Sequence, residues 1–306
     1  MRVLVSGSSG LIGGAVVRSL EADGHQVTRL VRGLPGPGQA AWDIKEGTVD
    51  AAALEGHDAV VHLAGAGIGD HRWTGKYKRE VLDSRVQGTS LLARTLAGLD
   101  ARPRVLVSGS AVGYYGDRGD EPLTEQCGPG RGFLADVVRR WEEATAPAED
   151  AGTRVVHVRS GIVQAGWGGA LRRLMLPFKL GFGGRWGSGK QWLSWVHIDD
   201  EVAAIRRAID DDGLSGPLNA TSPNPATVRD YTAALGRALH RPAVVPTPTF
   251  ALNALLGTEM VAEMLLGGQR VLPAKLEAAG FEFGHPDLDE ALADVVAASK
   301  SPQDRR

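Results

Sequence analysis

The stretch VLVSGSSGLIGGAVVRSL, near the start of the chain, constrains the fold more than any other. A short apolar run, residues 3–5, meets Gly7, Gly10 and Gly13, and a helical pattern begins at once. Glycine lets the backbone turn tightly and approach a ligand closely. The helix that follows offers unpaired N–H groups and the positive end of its dipole. Glycines at this spacing, between a first strand and a first helix, are the mark of a turn that holds a dinucleotide pyrophosphate. Glycine alone proves little here, since 41 of 306 residues are Gly; the position at a strand–helix junction carries the weight. The turn spans Gly7, Ser8, Ser9, Gly10, Leu11, Ile12 and Gly13.

The rest of the chain repeats this rhythm. Apolar runs at 27–31, 59–63, 105–107 and 155–158 alternate with helical patterns such as 11–20 and 81–96. Strands buried on both faces read as continuous apolar runs. The β-α-β alternation therefore predicts a doubly wound parallel sheet. After Gly161 the texture changes to a Gly/Trp-rich segment with little periodicity, then to proline-rich and helical stretches. We expect a dinucleotide-binding domain over 1–160 and a smaller substrate-side lobe over 161–306, with interleaved segments.

Composition bounds the rest. A net charge of -2 gives no general attraction to nucleic acid or to an anionic membrane surface. A single cysteine, Cys127, excludes an intrachain disulfide. No window approaches the ~18 apolar residues of a membrane span, and the N-terminus does not read as a secretory signal. A cytoplasmic protein is the expectation. No set of His or carboxylates has a spacing that proposes a metal.

The second strand's end selects the cofactor. An acid there usually bonds the ribose 2′-OH of NAD. In QVTRLVRG there is none, and Arg32 stands in its place. A guanidinium suits a 2′-phosphate, so NADP(H) is expected. Arg29 reads as a solvated charge. Asp43, after a short third strand, either approaches the adenine or caps a helix.

The motifs GSSGLIG, VVHLAG, SRVQGT, VSGSAVGYYG and SWVHIDD, in this order, resemble those of the extended short-chain dehydrogenase/reductases. The similarity is greatest to an epimerase-like branch, marked by GFLADVVRRWE and LPFKLGFGGRWGSGKQWLSWVHIDD, and it covers nearly the whole chain. The resemblance implies a Rossmann-type fold. It implies that Leu63, Ala64 and Gly65 lie over the cofactor, with Ser84 and Ser108 nearby and Arg159 bonding structure around the cofactor loop. In SRVQGT, Arg85 stands where many relatives have Asn. The superfamily's catalytic Ser or Thr falls on Ser110.

The superfamily's Tyr-x-x-x-Lys pair is missing. Aligned on Glu142, its two positions hold Leu134 and Val138, and no tyrosine in the chain has a lysine four residues later. Tyr114, after the fifth strand, is the candidate replacement proton donor. Asp70, with His71 and Arg72 beside it, and Lys190, in the glycine-bracketed loop GSGKQW, are candidate substrate contacts. Trp186, Trp192 and Trp195 either form a satellite core or line an apolar pocket that includes Trp195 as a substrate contact. His197 reads as a buried structural histidine. The helical pattern of 253–281 reads as packing, with a homodimer face as the other reading. The implied partner is a small polar carbonyl or hydroxyl compound, of which a sugar nucleotide is one. The implied activity is that of an oxidoreductase or isomerase, with a non-catalytic NADPH-binding regulator as the alternative.

Overall fold

A computed structural model of the chain describes residues 1–299. Its frame is one eight-stranded sheet. In chain order the strands are β1 (Arg2–Ser6), β2 (Gln26–Val31), β3 (Gln39–Asp43), β4 (Thr48–Val49), β5 (Ala59–His62), β6 (Val105–Ala111), β7 (Arg154–Ser160) and β8 (Gly216–Ala220). Across the sheet they run β8-β7-β6-β5-β1-β2-β3-β4. All neighbours are parallel except β4, which runs antiparallel to β3. The chain winds outward from β1 in one direction through β2 and β3. It then returns to the other side of β1 and winds through β5 to β8. The reversal lies between β1 and β5, and ligands of such sheets bind outside the strand ends at that point.

Strand period two explains both sheet faces. Val3, Val5, Val61, Val107 and Val156 point to one face, where helices α1 (Leu11–Ala22) and the later Ile198–Asp210 cover them. Leu4, Val60 and Leu106 point to the other, against α2 (Gly75–Ala97). These side chains are all essentially inaccessible, as a doubly wound sheet requires. Helix α3 (Phe133–Glu143) lies on the same face as α2 and packs against β6.

The expected division at residue 160 is crossed by the chain. The segment from Ile198 to Ala220 returns to the large sheet as helix α4 (Ile198–Asp210) and strand β8. Around it, the smaller lobe builds its own core from Leu171, Met175, Phe178, Trp195, Tyr231 and Leu292. No helix among the described residues is long and apolar enough to cross a membrane.

Candidate cofactor cleft and the closed site beside it

The glycine turn is tight for a steric reason. Gly7 has φ +68°, and a Cβ there would lie 2.7 Å from the Leu63 carbonyl carbon. Only a residue without a side chain lets the turn press against the end of β5. A Cβ at Gly13 would lie 2.2 Å from the Gly7 carbonyl oxygen, so α1 rests directly on the turn. Gly10 caps α1 without a side-chain bond, and the first turn holds no acid. The helix's amide dipoles are therefore offered to an external anion.

A cleft of about 1360 Å³ opens there, lined by Gly7, Ser8, Ser9 and Gly10. It runs across Arg32 and Asp43 at one end and Leu63, Ala64, Gly65, Asp70 and Ser84 at the other. Leu11 and Ile12 stand behind the turn, packed on the core. Leu11, Ile12 and Gly13 are not in the cleft lining. The cradle fits a dinucleotide: a glycine turn under the switch point, a free helix end, and a groove on each side.

The end near β2 and β3 is basic. Arg32 and Lys45 both line the cleft and are exposed. Arg29 pairs with Glu21 at 3.0 Å on the surface. Asp43 caps the turn after β3, its Oδ1 accepting from the Lys45 and Glu46 amides at 2.8 and 3.1 Å. It therefore caps a turn and not a helix, while still facing the cleft. Sequence reading passed over Lys45, because a lysine two residues past a strand carries no signal without the sheet order.

The far end is built by residues 63–67 against α2. Ser84 Oγ accepts from the Ala66 amide at 3.1 Å and donates to the Val81 carbonyl at 3.2 Å. Arg85 donates to the Ala66 carbonyl at 2.9 Å from the same helix. The Tyr77 hydroxyl bonds the Gly67 carbonyl. Beneath this wall His62 bridges Ser6 and Thr89 at 2.6 and 3.0 Å. Burial lowers the His62 pKa to about 4, so the ring is neutral at pH 7.

Ser108, Ser110 and Arg159, expected at the cofactor or catalytic site, sit elsewhere. Ser108 is fully buried in β6, and Ser110 and Arg159 lie outside the cleft lining. The register pairs Ser110 with Arg159 across β6 and β7. Both reach Glu142 on α3. Ser110 Oγ donates to Glu142 Oε1 at 2.6 Å. Arg159 bonds both carboxylate oxygens at 2.8 Å. Its third nitrogen donates to the Tyr115 hydroxyl at 2.9 Å, which donates in turn to Asn219 Oδ1 at 2.7 Å. Burial opposes the charge on Arg159, but the bonds and charge of Glu142 outweigh it and hold its pKa above the ordinary value. Burial pushes the Tyr115 hydroxyl up to about 12, so it stays protonated. The Ser110 hydroxyl thus serves a buried ion pair.

Tyr114 differs from its neighbour. Its ring lies under the Arg159 guanidinium, 3.5 Å from ring centroid to Cζ, and its hydroxyl bonds no described residue. It is half-buried and is not in the cleft lining. Across from it, Leu134 and Val138 close on Gly113: a Cβ there would lie 3.5 Å from Leu134 Cβ and 3.9 Å from Val138 Cγ2. The two positions expected to correspond to the pair are thus occupied by apolar packing. The N-terminus of α3 is held from far along the chain: Glu263 accepts from the Phe133 and Leu134 amides, both at 2.8 Å.

The expected substrate contacts divide. Asp70 lines the cleft and pairs with Arg173 at 2.8 Å on the surface. Lys190 is exposed on its loop, away from the cleft. Trp195 requires a correction. It is 0% exposed in the smaller lobe's core, its indole N–H bonded to the Asn224 carbonyl at 2.9 Å. Trp186 is likewise buried, donating to the Leu265 carbonyl at 2.9 Å. For both, the satellite core is the observed outcome.

His197 caps α4, its Nδ1 accepting from the Asp199 amide at 3.2 Å. That bond places the proton of the neutral ring on Nε2, which faces Asp294 at 3.3 Å. His285 stacks on the same ring at 3.8 Å. The three groups are close enough to suggest a metal set, but a protonated Nε2 has no lone pair for an ion.

Residues 3–219 match the NAD dependent epimerase/dehydratase family, and residues 247–295 match a domain of unknown function (DUF1731). The chain is 43% identical to the epimerase family protein ML0860 of Mycobacterium leprae over 292 residues, 95% of this chain and 94% of that one. The human epimerase family protein SDR39U1, solved with NADPH, superposes with a TM-score of 0.90 at 36% identity, over 97% of this chain and 99% of that one. A nucleoside-diphosphate sugar epimerase from Corynebacterium glutamicum gives 0.81 at 39% identity, over 97% of this chain and 58% of that one.

Proposed function

This chain belongs to the NAD dependent epimerase/dehydratase family, and on that premise we propose that it binds NADP(H) and exchanges hydride with a small polar carbonyl or hydroxyl compound. The observation that carries the reading is the cleft. It joins the glycine turn, a basic end with no acid at the end of β2, and the wall of residues 63–67 in one groove. The amides of the turn and of α1 would hold the pyrophosphate. Arg32 and Lys45 would pair with the 2′-phosphate, a charge-assisted contact that NAD lacks. The likeness to human SDR39U1, which was solved with NADPH, supports the same choice. When bound, the cofactor supplies or accepts the hydride.

Ser84 and Arg85 would fix the wall against which the nicotinamide half lies. Tyr114 is the one hydroxyl near the β6 end that no described group occupies, and it would give or take the proton. The test uses the purified chain with NADPH and a panel of small carbonyl compounds, sugar nucleotides included. Turnover is expected, and Tyr114→Phe should lose it while keeping NADPH affinity. Unchanged turnover in Tyr114→Phe sinks the role given to that residue.

One observation favours a second reading, a protein that binds NADPH without turning it over. Leu134 and Val138 pack on Gly113, and Ser110 is bonded to Glu142, so these expected positions would offer no proton route. NADPH binding with no turnover across the panel, and an NADPH-dependent change in a protein–protein contact, would decide for it.

A further inference from the structure

Helix α2 presents two faces near the cleft. Ser84 and Gln87 line the groove, while Arg85 turns inward and is 7% exposed. Its guanidinium donates to two backbone carbonyls, of Ala66 at 2.9 Å and Val81 at 3.1 Å, and lies 5.0 Å from the Trp141 ring centroid. Its Nε is buried with no partner among the described residues. No carboxylate among the described residues pairs with it. A buried cation without a counter-charge is costly, so something has to justify its place. Burial lowers its pKa to about 10, which leaves it charged at neutral pH.

The charge sits directly behind the cleft wall. A Cβ on Gly65 would lie 3.3 Å from Arg85 Cζ, and Gly65 faces the groove. One glycine backbone separates a full positive charge from whatever occupies that end. If the basic end takes the 2′-phosphate and the glycine turn the pyrophosphate, the nicotinamide riboside falls at this end. We propose that Arg85 makes the cleft prefer the reduced cofactor, whose dihydronicotinamide is neutral, over the oxidised one, whose ring is cationic. The proposal rests on the reading of the cleft as an NADP(H) site. The two redox states differ by one charge, and that charge develops beside a like charge that is itself buried and little screened. Glu80 and Asp83 also line the groove, but both are exposed, and water screens them. Arg85 therefore acts as a determinant of redox-state specificity and touches no reacting atom.

The test measures dissociation constants of the wild-type chain for NADPH, NADP+ and 2′,5′-ADP. It then repeats them for Arg85→Met, Arg85→Gln and Arg85→Lys. The wild type should favour NADPH over NADP+. Removal of the charge should shift that ratio toward NADP+ by about tenfold, equal to about 1.4 kcal/mol or about 30 mV in the bound couple. Arg85→Lys should keep most of the preference, and 2′,5′-ADP should bind all four proteins alike. Arg85→Gln can still donate to a backbone carbonyl, so it stands in if Arg85→Met does not fold. A wild type that binds both redox states equally overturns the proposal without any variant. So does an unchanged ratio in either neutral variant. No binding of any of the three ligands to the wild type would overturn the cofactor reading itself, and this inference with it.

Discussion

Two stretches of one sheet edge meet polar chemistry in opposite ways. Over β1, β2 and β3 the edge is open, and Arg32, Lys45 and the amides at the start of α1 point at no described partner. Over β6 and β7 the edge is closed. There Ser110, Glu142, Arg159, Tyr115 and Asn219 satisfy one another in a buried chain. Polar groups held without partners on a rigid frame are available to a ligand. Groups bonded to each other are available only to the fold. The family's chemistry is expected at the closed stretch, whereas the open stretch holds the strongest case for binding. A position assigned by resemblance therefore does not show that a side chain is free to act.

The contrast can be broken by substitution, starting where the effect is largest. Arg159→Met leaves the Glu142 carboxylate buried with Ser110 alone. It should cost about 3–5 kcal/mol of stability, read by denaturant unfolding. A loss below about 1 kcal/mol would show that the network is not structural. Gly13→Ala forces a methyl group into the Gly7 carbonyl. It should cost about 1–3 kcal/mol and displace the turn, so NADPH affinity should fall with stability. Arg32→Ala should leave the melting temperature nearly unchanged and weaken NADPH by about 1.5–3 kcal/mol, the range for a hydrogen bond to a charged group. NADH should be affected far less, and equal losses for both would reject the 2′-phosphate role.

A pH series sharpens the same contrast in the buried interior. Glu201 on α4 is fully buried, with Ser160 donating to one oxygen at 2.5 Å and the other oxygen unpartnered among the described residues. Burial pushes its pKa from the ordinary 4.5 up to about 8. A carboxyl raised in the folded state binds more protons there than in the unfolded chain. Its contribution is intact below about 4.5 and is lost as the pH rises to about 8. The melting temperature of Glu201→Gln should therefore fall less than that of the wild type between pH 5 and 8. Parallel curves would show that Glu201 ionises freely. The smallest effect is expected for Lys190→Ala, which should leave NADPH affinity within about twofold, since a solvated surface charge contributes little.

Reading the sequence reached the open stretch far better than the closed one, for a physical reason. The glycine turn and Arg32 are local features, and their meaning follows from one strand–turn–helix unit. The parallel sheet was legible from apolar runs, because burial on both faces leaves no polar alternation. The network at β6 and β7 was not, because it joins a strand residue, a helix residue 32 positions later and another strand residue 17 positions after that. Only the register that sets Ser110 beside Arg159 brings them together. The Gly/Trp segment has no periodicity to tell a core from a pocket lining, so the burial of Trp195 could not be read from spacing. The role of Lys45 likewise depends on β3 lying next to β2.

The bond from Glu263 to the first amides of α3 spans 130 residues of chain. During synthesis α3 leaves the ribosome long before its cap does. Until residue 263 arrives, the Phe133 and Leu134 amides have only water to bond, and the helix start frays more readily. The α3 start therefore gains this cap only once the C-terminal segment docks. A chain cut after residue 246 should still form the large sheet while its α3 amides exchange hydrogen quickly.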